Sequence, residues 1–330
     1  MSISRPAAMF ALEGGGAPSV AGGPVTLAQA GVRRVTVELS VDEAHDRVEI
    51  WLWRGSSLED AEPGGSLTVG LGDGDDTQDV LTADVAGVDA TGGGSVLTAF
   101  APSRRLSDVY VGQSYVSQTV ADVVSALLGE GGVDAGDIDA PLALPAVSVD
   151  PRRSVWGNLH VLARRTGHQI TSTSDGAVSF GPAGGAPGLG LGAVASAVGV
   201  GGGGGIREGA ELLRFRTGPR QPPTALASVS PAGSSQWFLL LAEPDSASAP
   251  PVLVHPLLRT RELADAATRA AAVAAERRSR LARVRVPGRP ELRAGGQVEA
   301  RGEQCRILRI RHLLDGDAGF VSDLTLEAAP

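Results

Sequence analysis

Hydrophobic residues alternate with polar ones over much of the first hundred positions. In VRRVTVELSVD (32–42), Val35, Val37, Leu39 and Val41 alternate with Arg34, Thr36, Glu38 and Ser40. That period of two predicts a half-buried strand. VEIWLW (48–53) repeats it, with Val48, Ile50 and Leu52 on one face. SLTVGLGDGDD, DVLTADVAGVDA and SVLTAFAP follow, each bounded by Gly, Asp or Pro. Short strands at this spacing point to a barrel or sandwich.

The period then changes. TVADVVSALLG (119–129) carries Val120, Val123, Val124, Leu127 and Leu128 at helical spacing, with Thr119 placed as N-cap and Gly129 as stop. SVWGNLHVLARRTG (154–167) predicts a second helix, capped by Ser154 and ended by Gly167. HQITSTSDGAVSFGP reads as a hairpin around Ser-Asp-Gly. After a glycine-rich stretch come two further strand candidates, ELLRFRT (211–217) and SQWFLLLA (235–242). Residues 261–283 hold nine alanines and no Gly or Pro, which predicts the longest helix, barred from continuing by Pro287 and Pro290. CRILRIRHLL and FVSDLTLEA close the chain as strands around a DGDAG turn. In the last strand Phe320, Ser322, Leu324 and Leu326 face one way, and Val321, Asp323, Thr325 and Glu327 the other.

The expected class is therefore α+β, mainly β: two β-barrel-like units flank a small helix–hairpin module, with one long Ala/Arg-rich helix in the second half. The expected boundaries are a flexible N-terminal tail at 1–24, a first β unit at 25–108, the module at 109–182, a glycine-rich connector at 183–206 and a second β unit at 207–330.

Composition narrows the chemistry. All 29 basic residues are Arg, with no Lys in the chain. A Walker-type phosphate loop, Schiff-base chemistry and pyridoxal phosphate chemistry all need a Lys and are excluded. The net charge of −8 argues against wrapping nucleic acid. The one cysteine, Cys305, makes neither an intrachain disulfide nor a Cys-based zinc site. The uncharged stretch 188–206 is long enough to span a bilayer, yet its glycine content suits a connector better than a helix.

Candidate sites are few. His160 and His168 stand eight apart across Gly167 with no Glu between, unlike a zinc-protease helix. Asp73, Asp75 and Asp76 form an acidic turn without the Glu of a calcium loop, and Asp315 and Asp317 another; both read as solvated turns. The glycines at 201–205 precede a strand, not a helix, unlike a dinucleotide site. Trp51, Trp53, Trp156 and Trp237 are candidates for a sugar platform, with Trp156 and Trp237 set in apolar patterns that read as core. RRSRLARVR (277–285) is the one basic patch, read as a helix end complementing the dipole or as a contact with an acidic partner. No catalytic, cofactor or metal residue is nominated.

Three stretches together resemble a known family. The middle module, SYVSQTVADVVSALLGEGGV then PRRSVWGNLHVLARRTGHQITSTSDGAVSFGP, is similar to a "tv-dIv-xIl" helix, an aromatic-led helix ending "LA-x-x-x-G", and a hairpin ending "v-F". The C-terminus, VPGRPELRAGGQVEARG then CRILRIRHLLDGDAGFVSDLTLEAAP, is similar to "vPG-x-P-x-L-x-pG", "y-r-v-x-x-v-x-H" and "GF-x-x-x-L-x-L". VTVELSVDEAHDRVEIWL is similar to an opening strand pair. The order resembles the baseplate hub family of contractile phage tails: late-control protein D-like proteins and the hub half of the type VI secretion spike protein. The resemblance implies a homotrimer of two tube-type β domains per chain, joining a trimeric spike to a hexameric inner tube. It also implies the partners: further copies of itself, the inner tube protein, the spike and baseplate wedge components. It implies cytoplasmic assembly into a tail or injection particle, with no turnover, no cofactor, no specific nucleic-acid recognition and no integral membrane segment. The alternatives are a particle-associated cell-wall hydrolase or carbohydrate-binding module, and a generic all-β interaction protein.

Overall fold

The computed structural model describes residues 6–13, 24–41, 45–183, 206, 212–217, 227–229, 252–278 and 281–328. Its dominant feature is one open antiparallel sheet. The N-terminal part supplies β1 (Pro6–Glu13), β2 (Val32–Ser40), β3 (Arg47–Leu52), β4 (Ser66–Asp73), β5 (Asp76–Thr91) and β6 (Gly94–Phe100). The C-terminal part supplies β12 (Arg214–Thr217), β15 (Leu281–Pro287), β16 (Gln297–Ala300), β17 (Glu303–Asp315) and β18 (Gly319–Ala328). The strands run in the order β1-β4-β5-β6-β3-β2-β17-β18-β15-β12, with β16 also paired to β17.

Between these strand sets lies a mixed module. It holds β7 (Ser114–Thr119), α1 (Val120–Glu130), β8 (Ala135–Ile138), β9 (Ala143–Ser148), α2 (Val155–Thr166), β10 (His168–Ser172) and β11 (Val178–Pro182). A short parallel pair, β13 (Ala227–Val229) and β14 (Val252–Val254), precedes the long helix α3 (Arg261–Arg278).

The expected period-two strands appear at their places. Val35, Val37 and Leu39 of β2 and Val48, Ile50 and Leu52 of β3 are buried in the sheet's core, while Trp51 stays exposed. The module has its own core, built by Val120, Val124 and Leu127 of α1 with Leu159 of α2 and Phe180 of β11. Both short helices start as their sequences dictate. Thr119 accepts from Asp122 N–H at 3.1 Å while the Asp122 carboxylate accepts from Thr119 N–H at 2.9 Å, a capping box. Ser154 caps α2, and Gly167 ends it at φ 78°, a left-handed position that glycine adopts without strain.

Four expectations need correction. Residues 6–13, expected within a loose tail, pair with β4 along their whole length, and Ala8, Phe10 and Leu12 bury their side chains. The two β units do not form separate closed barrels among the described residues, because β2 pairs with β17 and merges both strand sets into one open sheet. The long helix ends at Arg278, short of 283, since Val284 and Val286 alternate with Arg283 and Arg285 and enter the sheet as β15. Helix α1 runs one residue past Gly129, and Gly131 takes the cap. SQWFLLLA (235–242) and nearly all of the connector at 183–206 lie outside the described residues.

The C-terminal motif residues converge although as many as 33 positions separate them. Gly288 N–H donates to Phe320 O at 2.8 Å, and a Cβ at 288 would sit 2.0 Å from the Phe320 ring. Arg289 N–H donates to Ser322 Oγ at 3.0 Å. Ser322 Oγ in turn lies 2.9 Å from His312 Nδ1, and the His312 ring packs 6.0 Å from Phe320. Glycine at 288 is thus a steric requirement of Phe320. Burial, aided by Arg293, holds the fully enclosed His312 imidazole down at about 3.

Gly288→Ala is expected to lower stability by about 1–3 kcal/mol through overpacking, read from the urea midpoint; Gly181→Ala, with open space around its Cβ, serves as the near-neutral control. For His312, the unfolded chain takes up a proton near 6.5 while the folded chain refuses it until about 3. Its contribution is therefore complete above 6.5 and is lost as pH falls through that window. His312→Asn should flatten the stability–pH slope between 6.5 and 3, measured by denaturation across pH.

Candidate functional site

The module and the large sheet meet along α3. This helix starts after Thr260, whose Oγ1 accepts from Leu263 N–H at 3.2 Å, and Leu263 and Ala267 bury into the module core. Its alanines let neighbours come close: a Cβ added at Gly167 would stand 3.3 Å from Ala270 Cβ. Beside α3 lies a cleft of about 910 Å³. Its walls are α2, β10, α3 and the adjoining parts of β17 and β18.

Arginine dominates this cleft. Arg164 and Arg165 come from the last turn of α2, where cations complement the negative end of the helix dipole. Arg269 and Arg277 come from α3, and Arg306 and Arg309 from β17. Glu327 of β18 is the single carboxylate among the described lining residues. At the floor, Arg306 donates to Glu327 Oε1 and to Gln169 Oε1, and Arg277 Nη1 lies 3.8 Å from the same Glu327 oxygen. Arg277 Nη2 also donates to Ala183 O at 3.2 Å. Arg277, Arg306 and Glu327 are 6%, 7% and 3% exposed, so two enclosed guanidiniums share one carboxylate. Burial first, and Arg306 second, push the Arg277 guanidinium below its usual range, with Glu327 opposing. The Nε atoms of Arg165 and Arg277 are enclosed without a hydrogen-bond partner.

His160 and His168 both line this cleft, as packing groups. The His160 ring meets Trp156 edge-on at 4.6 Å, and His168 stacks on Phe180 at 5.1 Å. Burial lowers the His168 pKa, opposed by Asp139. Among the described residues no group of three or more His, Cys, Asp or Glu gathers to hold a metal ion. Asp73 and Asp76 flank a tight β4–β5 turn, with Gly74 at φ 62°. The second acidic turn departs from its solvated reading. Asp315 is buried, accepts from Asp317 N–H at 2.9 Å and pairs with Arg34 at 2.6 Å. The Asp317 N–H, ahead of Arg34, holds its carboxyl below the ordinary range. Trp51 and Trp53 are exposed, with Arg33 over the Trp53 ring at 5.5 Å, whereas Trp156 is buried. Trp237 and Gly201 to Gly205 lie outside the described residues. In the basic patch, Arg277 turns inward to Glu327 and Arg285 forks onto Asp323 at 2.6 and 2.7 Å. Cys305 is buried, which pushes its thiol pKa up.

The Arg277–Glu327–Arg306 cluster had no local signal. Glu327 alternates with Leu326 and reads as a solvent-facing position; α3, far away in sequence, is what covers it.

No protein-family model matches the sequence, and no curated protein matches it. Solved structures do. A 43 kDa tail protein of prophage MuSo2 from Shewanella oneidensis superposes over 99% of this chain and 98% of its own, with TM-score 0.64 and 14% identity. A tail protein from Neisseria meningitidis does so over 98% and 96%, with TM-score 0.66 and 14% identity. This chain has the fold of a phage tail protein. An Escherichia coli component of the type VI secretion system, itself described as structurally similar to T4 bacteriophage tail proteins, shares the tail-protein fold over 98% of this chain and 77% of its own, with TM-score 0.58 and 10% identity. No helix among the described residues is long and apolar enough to cross a membrane.

Glu327→Gln would leave two buried guanidiniums without a counter-charge. The expected cost is about 3–5 kcal/mol, measured by chemical denaturation at neutral pH. A loss below about 1 kcal/mol, the range of exposed pairs, would show that solvent rather than Glu327 neutralises the pair.

Proposed function

We propose that this protein is a structural hub of a phage-tail-like injection particle, a homotrimer that fits a trimeric spike to a hexameric inner tube. The observation carrying this reading is the end-to-end sharing of one fold with two tail proteins, with nothing substantial left over on either side. In this reading residues 25–108, together with β1, and residues 207–330 are two tube-type β units, with 109–182 as the module between them and 183–206 as the connector. Three copies of a chain with two such units supply six tube-like positions. The function is geometric and involves no turnover. The partners are other copies of the chain, the inner tube protein, the spike and the baseplate wedge, within a tail or injection particle assembled in the cytoplasm.

The sheet's termini support the reading. Among the described residues β1 and β12 stand at its two ends. β1 is met on its outer side by a bridge from Ala8 to Val25, and β12 is short, with Leu213 before it exposed. Strand ends of this kind pair with neighbouring chains or must be protected.

Native mass spectrometry of the purified chain is expected to give three copies, and the trimer should co-sediment with inner tube protein. A stable monomer that leaves tube protein in the supernatant would overturn the proposal.

A further inference from the structure

The arginine cleft has the wrong sign for the chain that carries it. The whole chain has a net charge of −8, yet the described residues of this cleft set six arginines against the single carboxylate of Glu327. Holding like charges together in a recess is unfavourable unless an opposite charge enters. The floor adds an independent sign. Arg277 is 6% exposed, shares its carboxylate with Arg306, and keeps an enclosed Nε without a hydrogen-bond partner. Arg165 of α2 and Arg306 of β17 present further enclosed Nε atoms without a partner. A buried guanidinium with an unused donor is a costly arrangement that an incoming carboxylate relieves, since guanidinium and carboxylate match as forks.

We propose that this cleft binds an acidic peptide segment of a partner protein, one that carries carboxylates together with small or aliphatic side chains. The second half of that description comes from the α3 wall. Ala266, Ala270, Ala271, Val273 and Ala274 line the cleft between the arginines. A free oxyanion would engage the guanidiniums and leave this apolar strip in water. A nucleic-acid backbone would do the same, and the described lining residues include no Phe, Tyr or Trp for a base to stack on. A peptide with alternating acidic and apolar side chains uses both surfaces, and the volume of about 910 Å³ accommodates several side chains. Arg269 and Arg309 are exposed and meet the ligand first. The buried Arg277 takes the deepest carboxylate.

The inference rests on the cleft and not on the hub reading, so the same sample examined by native mass spectrometry separates failure of one from failure of the other. The test is fluorescence anisotropy of the full chain with a short fluorescein-labelled peptide alternating glutamate and leucine. Saturable binding that weakens as salt rises is expected. The Arg269→Glu and Arg309→Glu double variant should lose at least about tenfold in affinity, with Arg214→Glu on β12 unchanged as a charge control. Should the double variant melt early, Arg269→Gln and Arg309→Gln give the same reading with less perturbation. A peptide of alternating glutamine and leucine, inorganic phosphate and single-stranded oligothymidine should each compete poorly. No saturable binding, equal affinity in the reversal variants, or displacement by phosphate or oligothymidine as effective as by unlabelled peptide would each overturn the proposal.

Discussion

The antiparallel ladder between Val32–Ser40 and Glu303–Asp315 holds the two ends of the chain in one sheet. Arg34 stands opposite Asp315 and Ser40 opposite Arg309, and the Arg34–Asp315 ion pair closes one end across 281 positions of sequence. Val35, Val37, Ile310 and Leu314 bury together along it. Chain-closure entropy rises only slowly with loop length, so a separation this long is thermodynamically tolerable. It is kinetically demanding, because such pairings form late and fold slowly. Without this ladder β1 and β3 to β6 would end at β2, and β15 to β18 would have an open flank at β17.

The ladder also sets where the helices act. With β17 and β18 fixed beside β2, α3 lies between the module and the sheet and covers Glu327, while β10 brings Gln169 to Arg306. The charged cluster at that seam joins three parts of the chain remote in sequence. Buried ion pairs contribute little net stability compared with apolar packing, but they penalise a wrong register strongly. An Arg–Glu–Arg contact is therefore suited to fixing how module and sheet dock, and the surplus positive charge it leaves defines the cleft's chemistry.

Much of the fold was legible in local pattern. The alternation in β2 and β3, the capping box at Thr119 and Asp122, and the glycine that ends α2 are short-range effects. Where reading failed, two patterns competed. Pro6–Glu13 lies beside glycine- and proline-rich sequence that masked the alternation of Ala8, Phe10 and Leu12. The Ala/Arg run beyond Arg278 has helical composition, yet its alternating valines join a sheet that offers backbone partners on both sides of β15. Asp315 looked like a turn carboxylate because the Arg34 that neutralises it is far away in sequence.

Sequence alone determined most strand and helix types, the N-caps Thr119 and Ser154, the Gly167 stop, the absence of lysine chemistry, and the spaced C-terminal signature around Gly288, His312 and Phe320. It did so because propensity, periodicity and capping act over a few residues. Tertiary structure decided that the two strand sets share one open sheet, that those signature residues touch, and that Arg277, Arg306 and Glu327 share a buried seam beneath an arginine cleft. Burial and charge pairing depend on which surface arrives from a distant part of the chain, and no local window of sequence carries that information.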